Sequence, residues 1–92
     1  MVVGKCKKRD AHTLLATGGI NASLATMDKK DSWRLHAADT IRDGGFINHP
    51  KAVELLCRYA PRAVEELAKW GVAFHRENDG SIAQRFFGAA TF

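Results

Sequence analysis

His12-Thr13-Leu14-Leu15-Ala16-Thr17-Gly18-Gly19-Ile20-Asn21-Ala22 is the stretch on which the reading of this chain turns. Residues 7 to 30, which contain it, carry no sustained apolar period and are rich in Gly, Ala, Thr and Lys. That pattern predicts an extended loop with at most one helical turn, around Thr13 to Ala16. Loops held on a rigid scaffold often carry function. A glycine pair such as Gly18-Gly19 lets the backbone approach a ligand and offer N–H groups where a side chain would collide. The plainer readings are a turn between Thr17 and Ile20 and an exposed loop histidine at position 12.

Outward from the loop, the elements become regular. Met1-Val2-Val3, a β-branched run ended by Gly4, reads as the tail of a buried strand in a parallel sheet. A first helix is expected over residues 32 to 42, with Asp31 or Ser32 as N-cap, Trp33, Ala37, Thr40 and Ile41 on one face, and Gly44-Gly45 as its stop. Pro50, behind Asn48 or His49, suits the first position of a second helix that buries Val53, Leu56 and Cys57 and ends before Pro61. Pro61 opens a third, with Val64, Leu67, Ala68 and Trp70 inward, Glu65, Glu66 and Lys69 solvated, and Gly71 as cap. The apolar seam of this small bundle would run through Trp33, Ile41, Val53, Leu56, Val64, Leu67 and Trp70. Val72-Ala73-Phe74-His75 and Ser81-Ile82-Ala83-Gln84 flank Glu77-Asn78-Asp79-Gly80, a hairpin signal.

Composition narrows the function classes. Ninety-two residues make one small domain, and 46% hydrophobic with 26% charged residues is ordinary for a globular chain. The net charge of +4 is concentrated on Lys5, Lys7, Lys8 and Arg9 with no aromatic residues interleaved, which favours a solvated face over a nucleic-acid surface. Cys6 and Cys57 are too few and too far apart for a zinc site or disulfide framework, and read as reduced thiols in a cytosolic setting. His36, His49 and His75 form no ligand spacing, His49 reading as a capping or turn residue and His36 as a packed or hydrogen-bonded one. No apolar run approaches the ~20 residues that span a bilayer, and no secretory leader opens the chain.

The loop segment is followed by Asp31-Ser32-Trp33, His36, Asp39-Thr40, Pro61, Ala63-Val64, Leu67, Trp70-Gly71, Phe74, Asp79-Gly80, Gln84-Arg85 and Phe87-Gly88. In this order and spacing the motifs resemble the FAD-binding domain of succinate dehydrogenase and fumarate reductase flavoprotein subunits. The resemblance implies an α/β class: residues 1 to 92 as a partial Rossmann-like FAD-binding domain with a three-helix segment and a short hairpin. The family's glycine-rich turn, Gly-x-Gly-x-x-Gly, and its capping domain would then lie outside these residues.

The same resemblance implies FAD as cofactor, with an imidazole nitrogen of His12 bonded to the ring's 8α-methyl carbon and Thr13, Ala16, Thr17, Gly18 and Gly19 along the flavin. Lys5, beside Gly4, would meet the adenosine half, and Phe87 and Gly88 would wall a dicarboxylate pocket. The implied chemistry is interconversion of succinate and fumarate by hydride transfer at flavin N5, with proton-transfer groups outside this chain and no catalytic residue within it. The implied partners are a C4 dicarboxylate and an iron-sulfur subunit, and the implied location is cytoplasmic, or peripheral to the inner face of a membrane through partner subunits. Thr17 departs from the Gln or Glu common before the two glycines, and Ala89 replaces the second glycine of a Phe-Gly-Gly element. Two other readings of these residues are a non-enzymatic helical interaction module and an L-aspartate oxidase-like relative, a group that normally lacks the covalent histidine.

Overall fold

The structure, a computed structural model, describes residues 5, 7–15 and 18–86. The expected strand at Met1-Val2-Val3 lies outside them. After a single 3-10 turn at Lys8–Asp10 come α1 (His12–Leu15), α2 (Trp33–Asp43) and α3 (Pro50–Lys69). α1 is the one helical turn expected in the loop, and α2 packs on α3.

Both ends of α2 follow from local chemistry. Ser32 rather than Asp31 is the N-cap: its backbone is extended, φ −154°, and its hydroxyl accepts a hydrogen bond from the Leu35 N–H at 3.4 Å. At the other end Gly45 takes a left-handed φ of 63°. Its N–H donates to the Arg42 carbonyl at 3.0 Å while the Phe46 N–H donates to the Ile41 carbonyl at 3.0 Å. This pair of bonds satisfies carbonyls that the helix would otherwise leave unpaired. At Gly44 the constraint is different: a Cβ there would sit 2.2 Å from Asn48 Oδ1, so any side chain would have to displace the Asn48 amide. The chain folds back at this turn, and Asn48 Nδ2 donates to the Thr40 carbonyl at 3.4 Å.

α3 corrects the helix count. His49 is the N-cap, its Nδ1 accepting from the Ala52 N–H at 3.3 Å, and Pro50 occupies the first helical position as expected. The helix then continues through Pro61 for 20 residues, so the expected second and third helices are one element. An internal proline removes one backbone donor and crowds the preceding turn, at a cost of about 3 kcal/mol. Burial on both sides of it outweighs that cost here: Val53, Cys57, Ala60 and Val64 are all buried, and they straddle Pro61.

The seam is corrected with it. Leu56 is 63% exposed and Trp70 77% exposed, while Cys57 and Ala60 occupy the buried line. In one continuous helix, neighbouring residues point roughly 100° apart, so Leu56 and Cys57 cannot both face α2. The small side chains win because they let the helices approach, and Thr40 Oγ1 meets Cys57 Sγ across the interface at 3.9 Å. Trp33, Ile41 and Leu67 are half-buried. The Arg58 guanidinium lies 5.4 Å from the centre of the Trp33 ring, a cation–π contact joining α3 to the start of α2.

α3 ends as α2 does. Gly71, at φ 100°, donates to the Ala68 carbonyl at 3.1 Å, and the Val72 N–H donates to Leu67 at 3.0 Å. The expected hairpin is reduced to one isolated antiparallel bridge, Arg76 opposite Ile82. The Glu77 N–H donates to Ser81 at 2.9 Å and the Ala83 N–H to His75 at 2.8 Å. Asp79 closes the turn by accepting from the Ser81 N–H at 2.9 Å and hydroxyl at 2.6 Å, with Gly80 at φ 85°. Beyond the bridge the chain leaves its pairing to follow side-chain partners in the 22–31 loop, so no ladder builds up among the described residues.

Candidate functional site

The loop that carries the candidate residues begins with two short turns. The Asp10 N–H donates to the Lys7 carbonyl at 2.9 Å, and the Leu14 N–H to Ala11 at 3.0 Å, which starts α1 at His12. His12 is exposed, as are Leu14 at 60% and Ile20 at 56%. Lys5, Lys7 and Arg9 are exposed as well. Thr13 lies within α1. Ala16, Thr17, Phe87 and Gly88 fall outside the described residues.

Gly18 and Gly19 are exposed, and a Cβ on either would meet nothing within 4 Å. Gly19 also lacks the left-handed backbone that makes glycine necessary at 45, 71 and 80. Neither packing nor conformation among the described residues accounts for a glycine there.

After the glycines, the loop is tied to the far end of the chain through Gln84. Its Oε1 accepts from the Thr26 N–H at 2.8 Å and from the Met27 N–H at 3.4 Å. Its Nε2 donates to the Ala22 carbonyl at 2.9 Å and to Asp31 Oδ2 at 3.3 Å. The same Asp31 oxygen accepts from the Ala25 N–H at 3.2 Å, where Ala25 holds a left-handed φ of 54°. Thr26 Oγ1 donates to the Ile82 carbonyl at 2.9 Å. Asp31, a candidate cap by sequence, is a network member instead. Sequence reasoning assigns Gln84 no role, because its partners lie 53 to 62 residues away and no local pattern signals them.

The remaining titratable groups are structural. Asp39 is buried on α2 and pairs with Arg42. Burial pushes the Cys57 thiol up, partly offset by its contact with Thr40. His36 Nδ1 and Asn48 Oδ1 are buried with no hydrogen-bond partner among the described residues. Lys51 and Arg58 flank Glu54 on exposed α3 and hold its carboxyl below the usual range, Lys51 contributing most. Among the described residues no group of three His, Cys, Asp or Glu could hold a metal ion, and no helix is long and apolar enough to cross a membrane.

The chain is similar to known proteins in sequence and fold. A family model described as an FAD binding domain matches residues 1–92. The mitochondrial succinate dehydrogenase flavoprotein subunit of Oryza sativa is 44% identical over 85% of this chain and 12% of its own length. A CoM/CoB fumarate reductase chain of Methanothermobacter marburgensis is 42% identical over 87% of this chain and 15% of its own. The structure of Mycobacterium smegmatis Sdh1 in complex with UQ1 superposes with a TM-score of 0.82 at 43% identity, covering 90% of this chain and 14% of that one.

The chain therefore belongs to the FAD-binding domain family, among the succinate dehydrogenase and fumarate reductase flavoproteins. FAD is the cofactor of that family. The described helices, bridge and loop are part of such a domain, and the chain spans about one-seventh of the length of the relatives it matches.

Proposed function

We propose that this chain supplies the flavin-facing loop of an oxidoreductase that interconverts succinate and fumarate, within a Rossmann-like α/β domain. The observation that carries this reading is the glycine pair: Gly18 and Gly19 keep open space where side chains would be, for no reason internal to the described residues. An exposed imidazole at His12 and exposed apolar side chains at Leu14 and Ile20 lie in the same stretch of sequence as the glycines, a composition that suits a flat, largely apolar ring. His12 would hold that ring covalently through an imidazole nitrogen at the 8α-methyl carbon, which requires the nitrogen to be unprotonated. Thr13, Ala16 and Thr17 would complete the loop along the ring, and Lys5 would place a cation near the adenosine half. Bound FAD supplies a two-electron acceptor and donor for hydride.

Phe87 and Gly88 would wall the dicarboxylate pocket, Phe87 excluding water from it. The proposed substrate is a C4 dicarboxylate and the proposed partner an iron-sulfur subunit, with peripheral attachment to the inner face of a membrane through partner subunits. The relatives' names, a succinate dehydrogenase flavoprotein subunit and a fumarate reductase subunit, support the substrate class and the existence of partner subunits.

The test is denaturation. From full-chain protein loaded with FAD, acid precipitation should leave flavin in the pellet, and a tryptic flavopeptide should map to His12. His12→Ala should keep flavin bound but release it into the acid supernatant. A flavopeptide mapping to His36, His49 or His75 would refute the assignment.

A further inference from the structure

We infer that Gln84 is a positioning residue, a clamp that sets the flavin-facing loop against the segment carrying Phe87; this rests on the function proposed above. Four polar atoms converge on its side-chain amide, and their polarity is fixed by chemistry. The Thr26 and Met27 N–H groups can only donate, and the Ala22 carbonyl and ionised Asp31 carboxylate can only accept. The neutral amide presents both characters on one planar group, so the orientation of Gln84 is determined by its partners. A glutamate would turn a carboxylate toward the Ala22 carbonyl and Asp31. An apolar residue would leave several part-buried groups unpaired.

The position of the clamp gives it a consequence for the site. Ala22 lies three residues after Gly19, and Phe87 three residues after Gln84. At about 3.3–3.6 Å per residue, each lies within roughly 11 Å of the clamp along the backbone. A short tether therefore runs from one hydrogen-bonded hub to the glycine pair, and Phe87 follows the hub by three residues of sequence. A second bond, Thr26 Oγ1 to the Ile82 carbonyl at 2.9 Å, prevents the segments from sliding past each other. Asp31 anchors the hub at the base of α2 and, through the Ala25 N–H, holds that residue in its left-handed conformation. Little apolar burial secures this part of the chain, since the buried apolar side chains among the described residues all belong to α3. The relative placement of the two segments is therefore left to polar geometry.

The experiment uses the full-chain flavoprotein with FAD bound, wild type beside Gln84→Leu and Gln84→Glu, each across a range of pH. Activity is expressed per bound flavin, which removes losses from poor folding or loading. Gln84→Leu should lower kcat for succinate oxidation roughly tenfold to a hundredfold, the scale of a misplaced reacting group, and should diminish the change in the flavin absorption band on adding fumarate. Gln84→Glu should be similarly impaired. Lowering the pH should restore much of the Gln84→Glu activity relative to wild type at the same pH, because a protonated carboxyl presents one donor and one acceptor as the amide does. Per-flavin kcat within about twofold of wild type in Gln84→Leu, with an unchanged band shift, would overturn the clamp and leave the flavin site standing. Should Gln84→Leu not fold, Gln84→Glu decides: an activity relative to wild type that does not rise as the pH falls also overturns it. Absence of any fumarate-induced band shift in wild type would instead overturn the functional reading beneath it.

Discussion

Truncating Val64 to alanine tests whether α3 packs in the phase the structure shows. Val64 is 3% exposed and shares its stripe with Val53, Cys57 and Ala60, the buried apolar side chains of the described residues. The substitution removes about two methyl groups, worth ~0.8 kcal/mol each in lost burial. The cavity left behind adds to that, and the seam is bounded by helix backbone that relaxes only partly, so the expected loss is about 2–3 kcal/mol. For a chain of this size that corresponds to a fall in Tm of roughly 8–24 °C. Leu56→Ala is the matched control: it removes more carbon, yet from a side chain 63% exposed, and should change the stability of the 92-residue chain by less than about 0.5 kcal/mol. Urea unfolding followed by circular dichroism measures both. If Leu56→Ala costs as much as Val64→Ala, the helix is rotated from the phase described and the packing reasoning fails.

Other perturbations probe separate links. Pro61→Ala restores a backbone donor inside a continuous helix and should stabilise the chain by about 1–3 kcal/mol in the same assay; destabilisation would mean that the proline shapes the fit between α2 and α3. Gly45→Ala places a Cβ on a left-handed residue at φ 63° and should cost about 1–2 kcal/mol, whereas Gly45→Asn should cost less. The Asp79 carboxyl is held below its ordinary value first by the Ser81 hydroxyl and then by the Ser81 N–H, so Ser81→Ala should raise its titration midpoint in a carbon-detected NMR experiment. Because the folded value is the depressed one, the stabilising contribution of Asp79 is present above the unfolded pKa and lost as pH falls through the folded pKa. A Ser81→Ala midpoint equal to wild type would contradict that cause.

Where a signal is local, the sequence alone determines the structure. The sequence places each N-cap at one of two adjacent residues, and Ser32 and His49 take the role because a side-chain acceptor ahead of an apolar periodic run satisfies an N–H that the helix leaves free. Gly45 and Gly71 end them because a left-handed residue costs glycine little. The motif run from His12 to Gly88 likewise identifies the family without coordinates. Tertiary structure alone decides what depends on distant partners. Whether Pro61 starts a helix or interrupts one turns on burial against α2, which no helical window contains. The choice of Cys57 over Leu56 for the seam is a matter of close approach between helices, and hydrophobicity ranked along the chain points the other way. Gln84 is the clearest case: its partners come from a loop more than fifty residues earlier, so its meaning exists only once the chain has folded back on itself.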